Sequence, residues 1–215
     1  MSEPRDLDVI LLDLDNTLYH PDCGLLEAGD RMIADFIARR LDLAWEEADR
    51  LRVRTWRQYG ATARGLEIEF GIPQREFFAG SIERVPIERY ISPQPELAAM
   101  LARLPQRLYV FTNAPAAYAC RTLKALGIAE QIDGVFDIET TGGRPKPECH
   151  CYDHVVEEIG APPERVALVE DTEENLAPAV ALGMLTIKLG PPRPEPPHLY
   201  LERLEDLPQL LGLGD

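Results

Sequence analysis

Three short apolar runs punctuate the chain, and each ends on polar residues. They are Val9-Ile10-Leu11-Leu12 within residues 8–12, Leu108-Tyr109-Val110-Phe111, and Val166-Ala167-Leu168-Val169. Their apolar positions are continuous rather than alternating, as expected of strands buried on both faces of a parallel sheet. Residues 135–138 and 184–189 are two weaker strand candidates. Between them lie segments of helical spacing over 94–104, 115–126, 148–159 and 173–182. Gly127, Gly160 and Gly183 stand where three of these should stop. Pro178 should kink the last helix or delay its start. Alternating β and α elements predict an α/β fold with an open, doubly wound, mostly parallel sheet.

Residues 20–92 break this rhythm. Ile33, Phe36 and Ile37 recur at helical spacing, then Ala44, Ala48 and Leu51, then Thr55 and Tyr59. Gly60, Gly65 and Gly71 punctuate the second half. A stretch of roughly 70 residues is far longer than an ordinary crossover, so a small all-helical cap inserted after the first strand is expected. The resulting division is a core of residues 1–19 and 93–215 and a cap of residues 20–92. Near the end, the proline-rich run 190–197 reads as a surface connector. A short Leu-Tyr-Leu segment and an amphipathic helix over 204–211 follow it.

A formal net charge of −15 changes the picture in one respect. No basic stripe offers a surface for a nucleic-acid polymer. An anionic small molecule must therefore be held locally, by a cation working against the general field. The four cysteines, Cys23, Cys120, Cys149 and Cys151, suggest no disulfide framework, and a reducing cytoplasm is the expected compartment. The opening MSEPRDLD lacks a secretory pattern, and no run approaches the ~20 apolar residues of a membrane span. Self-association is left open.

The polar residues at the strand ends carry the chemistry. Asp13 and Asp15 follow the first strand, Thr112 and Asn113 the second, and Glu170, Asp171 and Thr172 the third. Lys146 lies in the loop Gly142-Gly143-Arg144-Pro145-Lys146-Pro147 ahead of a helix. Ligands of open α/β sheets bind outside the carboxyl ends of the strands, where all of these fall. In an extended chain Asp13 and Asp15 share a face roughly 6.5 Å apart, a separation that can bracket a phosphorus atom. Asp13 is the expected nucleophile and Asp15 the acid for the leaving oxygen, then the base for water. Asp171 is expected to join Asp13 on a divalent cation, Lys146 to hold phosphate charge and orient Asp13, and Thr112 with nearby N–H groups to bind phosphate oxygens.

These segments resemble the motifs of the haloacid-dehalogenase-like hydrolase superfamily. DLDNTLY is similar to its first motif, Phe111-Thr112-Asn113-Ala114 to its second, and Lys146-Pro147 with Tyr152 to its third. Val169-Glu170-Asp171-Thr172-Glu173-Glu174-Asn175 is similar to its fourth. The resemblance implies a Rossmann-like core, Mg²⁺ as cofactor on Asp13, Asp15 and Asp171, and phosphate binding by Thr112, Asn113 and Lys146. Dehalogenase members lack the second aspartate, so Asp15 implies a phosphatase acting on a small phosphomonoester. Tyr59-Gly60-Ala61-Thr62, Gly65-Leu66 and Lys124-Ala125-Leu126-Gly127-Ile128 resemble the pyrimidine 5′-nucleotidase-type branch, implying nucleoside 5′-monophosphates such as UMP or CMP. Phosphoglycolate and pyridoxal phosphate are the alternative substrates. Two positions depart from the pattern. Glu170 replaces a glycine or aspartate, and Asn175 stands where many relatives carry an acid.

Three other readings rank lower. Cys149-His150-Cys151 with His154 lacks zinc-finger spacing. A phospho-accepting receiver-like domain would need neither the helical insert nor the Asp13-x-Asp15 pair. The arginines at 50, 52, 54, 57 and 64 fit a solvated helix face, and Arg64, beside the Gly65 turn, is the one expected to reach substrate if any does.

Overall fold

The computed structural model describes residues 6–191 and 197–213. Its sheet contains β1 (Val9–Leu12), β2 (Arg107–Phe111), β3 (Gly134–Phe136), β4 (Val166–Glu170), β5 (Leu185–Leu189) and β6 (Leu199–Leu201). The strands lie in the order β3-β2-β1-β4-β5-β6, and every neighbouring pair is parallel. The continuous apolar runs follow from this position. Ile10 and Leu12 face one cluster with Leu108, Val110, Ala167 and Val169, while Val9 and Leu11 face a second with Phe111, Val166 and Leu168. Both faces of β1 are thus buried, and no position on it is left for a polar residue.

Helices cover the two faces. α5 (Pro95–Leu101), α6 (Ala116–Leu126) and α9 (Leu207–Leu210) supply Leu97, Leu101, Leu123 and Leu207 to the first cluster. α7 (Cys149–Ile159) and α8 (Glu173–Leu182) supply Tyr152, Val155, Leu176 and Ala179 to the second. α8 begins at Glu173 and runs through Pro178, against the expected late start. Only the first turn precedes the proline, so a single intrahelical bond, to the Glu174 carbonyl, is lost. The expected helix over 204–211 is a 3₁₀ turn, Leu204–Asp206, followed by the single turn of α9, where Pro208 suits a helix start. The Leu-Tyr-Leu segment is the edge strand β6. Most of the proline-rich run, residues 192–196, lies outside the described residues.

Between β1 and α5 come α1 (Leu25–Leu41), α2 (Trp45–Tyr59), α3 (Thr62–Phe70) and α4 (Gln74–Gly80). Phe36, Ile37, Ala48, Ala63, Leu66, Phe77 and Phe78 give these helices an apolar cluster of their own. Gly65 permits the close approach of α3 to α2, since a Cβ there would lie 2.6 Å from the Thr55 Cβ. Leu25, Ala28, Val85 and Ile87, at the two ends of the insert, pack instead with the sheet. Among the described residues no helix is long and apolar enough to cross a membrane.

Candidate active site

β1 is the switch point of the sheet, because the chain moves from it to β2 on one side and later to β4 on the other. The crevice at its carboxyl end is where ligands of such sheets bind. The Asp13 N–H donates to the Val169 carbonyl at 2.9 Å, so strand pairing runs one residue past Leu12 and fixes the carboxylate at the rim. Leu14 is buried in the core, and Asn16 turns the chain with a φ of 63°. Asparagine tolerates that left-handed conformation better than most residues. The turn leaves Asp13 and Asp15 on one cavity of about 340 Å³, at the small end of the ~300–1,000 Å³ usual for small-molecule sites.

The two aspartates have different partners. Asp13 Oδ1 accepts from Lys146 Nζ at 2.7 Å. Asp15 Oδ1 accepts from the hydroxyls of Tyr19 and Tyr118, the latter at 3.0 Å, and the two hydroxyls lie 3.3 Å apart. Burial raises both carboxyls to about 6, helped at Asp13 by the charge of Glu170 and at Asp15 by that of Asp13. Lys146 also donates to Glu170 Oε2 at 2.6 Å and to the Phe111 carbonyl at 2.7 Å. All three ammonium protons are therefore used within the protein. Burial opposes the Lys146 charge, but Asp13 and Glu170 outweigh it and hold its pKa above the ordinary lysine value. The lysine is placed to orient Asp13. A direct bond to phosphate would require it to release one of these acceptors.

Asn113 sets the position of Lys146. Its Oδ1 accepts from the Lys146 N–H at 2.7 Å and its Nδ2 donates to the Lys146 carbonyl at 3.1 Å. Thr112 Oγ1 accepts from the Ala114 N–H at 3.0 Å, forming a local turn at the end of β2. Pro115 caps α6 rather than occupying its first turn, and the Ala116 N–H is taken by Asp137 at 2.7 Å. That N–H, one of those near Thr112, is thus engaged by a buried carboxylate.

Asp13, Glu170 and Asp171 each offer an oxygen within 4.8 Å of the other two. Burial raises Glu170 and Asp171 as well, Asp171 further through the charge of Asp13. Three crowded carboxylates, with Asp15 beside them and Lys146 as the ammonium in contact with two of them, form an all-oxygen donor set of excess negative charge. Such a set fits Mg²⁺. Glu170 stands in this group. Asp15, expected to be a ligand, has its Oδ1 taken by the two tyrosines. Asn175 lines the cavity, whereas Glu174 is exposed.

The helical insert closes the other side. Arg52 lines the cavity and pairs with Asp30 at 2.7 Å and Asp49 at 2.8 Å, while Arg64 pairs with Glu148 at 3.0 Å. The arginine facing the site is therefore Arg52, not Arg64. Cys149 and His150 are exposed, and Cys151 is buried against the Glu148 carbonyl. Tyr118 and Tyr19 were not singled out from the sequence, although Tyr19 closes the DLDNTLY segment, and Arg52, expected on a solvated helix face, lines the cavity instead.

An acidic pair just past the carboxyl end of the central strand of a doubly wound sheet, a buried lysine held against its first member and a helical insert over the crevice define a hydrolase class. The chain belongs to the haloacid dehalogenase-like hydrolase family, whose model matches residues 7–183. It is 26% identical to Phosphate metabolism protein 8 of Saccharomyces cerevisiae, with 82% of this chain and 59% of that protein covered. The chain thus spans about 59% of that relative's length. Among solved structures it resembles a HAD phosphatase from Thermococcus onnurineus, with a TM-score of 0.68 at 17% identity over 96% of this chain and 98% of the other. It also resembles the putative HAD-hydrolase YfnB of Bacillus subtilis bound to magnesium, with a TM-score of 0.64 at 17% identity over 95% and 98%. L-2-haloacid dehalogenase from Xanthobacter autotrophicus follows at 0.62 and 16% over 96% and 98%.

Proposed function

We propose that this hydrolase is a Mg²⁺-dependent phosphatase of small phosphomonoesters, with nucleoside 5′-monophosphates as its substrates and residues 20–92 as its cap. The observation that carries this reading is the unlike pairing of the two aspartates, Asp13 on Lys146 and Asp15 on Tyr19 and Tyr118, around one cavity. A halide leaving group needs no proton, whereas an alkoxide does, and Asp15 is the residue to supply it. The name of the yeast relative, Phosphate metabolism protein 8, agrees with phosphate chemistry, and the magnesium bound by YfnB agrees with the metal.

In this mechanism an Asp13 oxygen attacks phosphorus and the bond from phosphorus to the ester oxygen breaks. Asp15 delivers its proton to the departing oxygen. Asp15, now ionised, takes a proton from water, whose oxygen attacks phosphorus and breaks the bond to Asp13, releasing phosphate. A carboxyl near 6 holds enough proton at neutral pH to serve as acid and loses it readily enough to serve as base. Lys146 keeps Asp13 aimed, and Thr112 and Asn113 form the phosphate end of the cavity. Mg²⁺, held by Asp13, Glu170 and Asp171, would neutralise the charge shared by the carboxylates and the phosphate.

Phosphate release from UMP, CMP, phosphoglycolate and pyridoxal 5′-phosphate tests the reading. Turnover that needs Mg²⁺, stops with EDTA and is lost in Asp13→Asn supports it. An Asp13→Asn protein of near-normal activity would remove it.

A further inference from the structure

Two of the large apolar side chains left exposed line the catalytic cavity, Leu26 at 38% and Trp56 at 53% exposure. Exposed apolar groups scattered over a surface need no explanation, but two on one cavity do. Their placement is regular. Leu26 and Asp30 are four residues apart on α1, and Arg52 and Trp56 are four apart on α2, so each pair shares one helix face. Asp30 and Arg52 meet across the two helices at 2.7 Å. The cavity wall therefore carries a polar rung, Asp30 with Arg52, and an apolar rung, Leu26 with Trp56, about one helical turn (~5.4 Å) away.

The polar rung is pre-set. Arg52 is held by Asp49 as well as Asp30, and its side chain is only 16% exposed. It offers fixed N–H groups beside a carboxylate acceptor. The apolar rung offers an indole face. Phe77 and Phe78 add an apolar floor. The complement to such a wall is a flat ring with apolar faces and a hydrogen-bonding edge. A simple sugar phosphate or a phosphorylated hydroxy acid has no such face.

We infer that Trp56 and Arg52 form a ring-recognition site, in which the leaving group of the substrate stacks on Trp56 and presents a polar edge to Arg52 and Asp30. The inference rests on the phosphatase reading of the same cavity and assigns selection of a planar heteroaromatic leaving group to these residues of the helical insert. UMP and pyridoxal 5′-phosphate share that chemistry, and the assay separates them.

The test compares kcat/KM for UMP, pyridoxal 5′-phosphate and ribose 5-phosphate. Wild-type protein prefers one ring-bearing substrate over ribose 5-phosphate. Trp56→Ala lowers that preference about tenfold, mainly through KM, the scale on which stacking on an aromatic side chain counts. Trp56→Phe keeps most of the preference, and Trp45→Phe, at the other exposed tryptophan, leaves it unchanged. Equal losses on ring-bearing and ring-free substrates, or no loss on either, overturn the site. A second readout does not depend on turnover. UMP or pyridoxal 5′-phosphate added to Asp13→Asn protein quenches tryptophan fluorescence saturably, and the quench survives Trp45→Phe but vanishes in Trp56→Phe. Quenching without any phosphatase activity would sink the function and keep the ring site. Hydrolysis of ring-free phosphates without quenching would do the reverse.

Discussion

The side-chain amide of Asn113 spans the backbone of Lys146, accepting from its N–H at 2.7 Å and donating to its carbonyl at 3.1 Å. Two residues 33 positions apart are thereby locked together, and the lysine's ammonium is delivered to Asp13. Asn113→Ala removes both bonds and leaves a half-buried peptide group short of partners. The expected outcome is a fall of about 10²-fold in kcat, on the scale that a ~1 Å misplacement in an active site produces. Circular dichroism should remain that of the wild type. A near-normal kcat would show that the proline-flanked loop holds Lys146 unaided.

Lys146 is buried between Asp13 and Glu170. Lys146→Met keeps the length of the side chain and removes its charge, leaving two crowded carboxylates without their counter-ion. Breaking a buried pair in this way costs about 3–5 kcal/mol. Thermal melts should show a loss of that size in EDTA and a partial recovery in millimolar Mg²⁺, because a cation can take over the neutralisation. An equal loss with and without Mg²⁺ would mean that the metal does not reach these carboxylates.

Tyr118 donates to Asp15 Oδ1 at 3.0 Å. Tyr118→Phe removes that donor and leaves Tyr19 as the remaining phenol on the carboxylate. Hydrogen bonds to charged groups are worth ~1.5–3 kcal/mol, so a rate loss of about 10–100-fold is expected where proton delivery limits turnover. The loss should be large for UMP and small for p-nitrophenyl phosphate, whose leaving group needs little protonation. Equal losses on the two would assign Tyr118 to packing alone.

These partnerships also mark how far the sequence could be read. β1 and β4 were legible because both faces are buried, which leaves an unbroken apolar run. Asp13, Asp15, Thr112, Asn113 and Asp171 were legible because polar residues fall at strand ends, and Lys146 because it stands between two prolines in a loop that leads into a helix; the structure places all six on one cavity. The Asp15–Tyr118 bond joins residues 103 positions apart, and no local spacing announces it. Asp137 at the start of α6 was hidden for the same reason. Arg52 was legible in principle. It stands one turn before Trp56 and beside the apolar stripe of α2, so helical phase pointed it inward, but its neighbours Asp49 and Arg50 made the segment look like a solvated face. The proline-rich run obscured β6, because three residues after a turn-rich stretch carry little strand signal.

Gly60 meets the loop that carries Lys146. Its φ is +78°, and a Cβ there would lie 3.1 Å from Pro145 Cγ and 3.4 Å from the Lys146 carbonyl oxygen. Gly71, at φ +65°, has nothing within 4 Å of the same position. Alanine at either site adds left-handed strain of about 1–2 kcal/mol. Gly60→Ala should in addition press the helical insert off the Lys146 loop and lower kcat/KM about tenfold. Gly71→Ala should lower Tm to a similar degree and keep kcat/KM within about twofold, since surface changes away from such contacts seldom reach further. Comparable kinetic losses in both would trace the effect to strain rather than to the contact.

The two candidate ligand sets differ in one member. The motif resemblance places Asp15 with Asp13 and Asp171 on Mg²⁺, whereas the carboxylates that crowd together are Asp13, Glu170 and Asp171. Glu170 Oε2 is bound to Lys146, and its Oε1 accepts from the Thr172 N–H at 3.0 Å, so ligation by Glu170 must share its oxygens with these donors. Asp171→Asn should raise the Mg²⁺ concentration for half-maximal activity tenfold or more in either case. Glu170→Gln should raise it by about 10–100-fold, whether as a ligand or as the group that orients one. Asp15→Asn should leave it near the wild-type value and lower kcat instead, because its carboxylate faces Tyr19 and Tyr118. Isothermal titration of Mg²⁺ into each variant reads this directly. Weakened binding in Asp15→Asn with unchanged binding in Glu170→Gln would return the side chain of Asp15 to the metal and leave Glu170 as a partner of Lys146 alone.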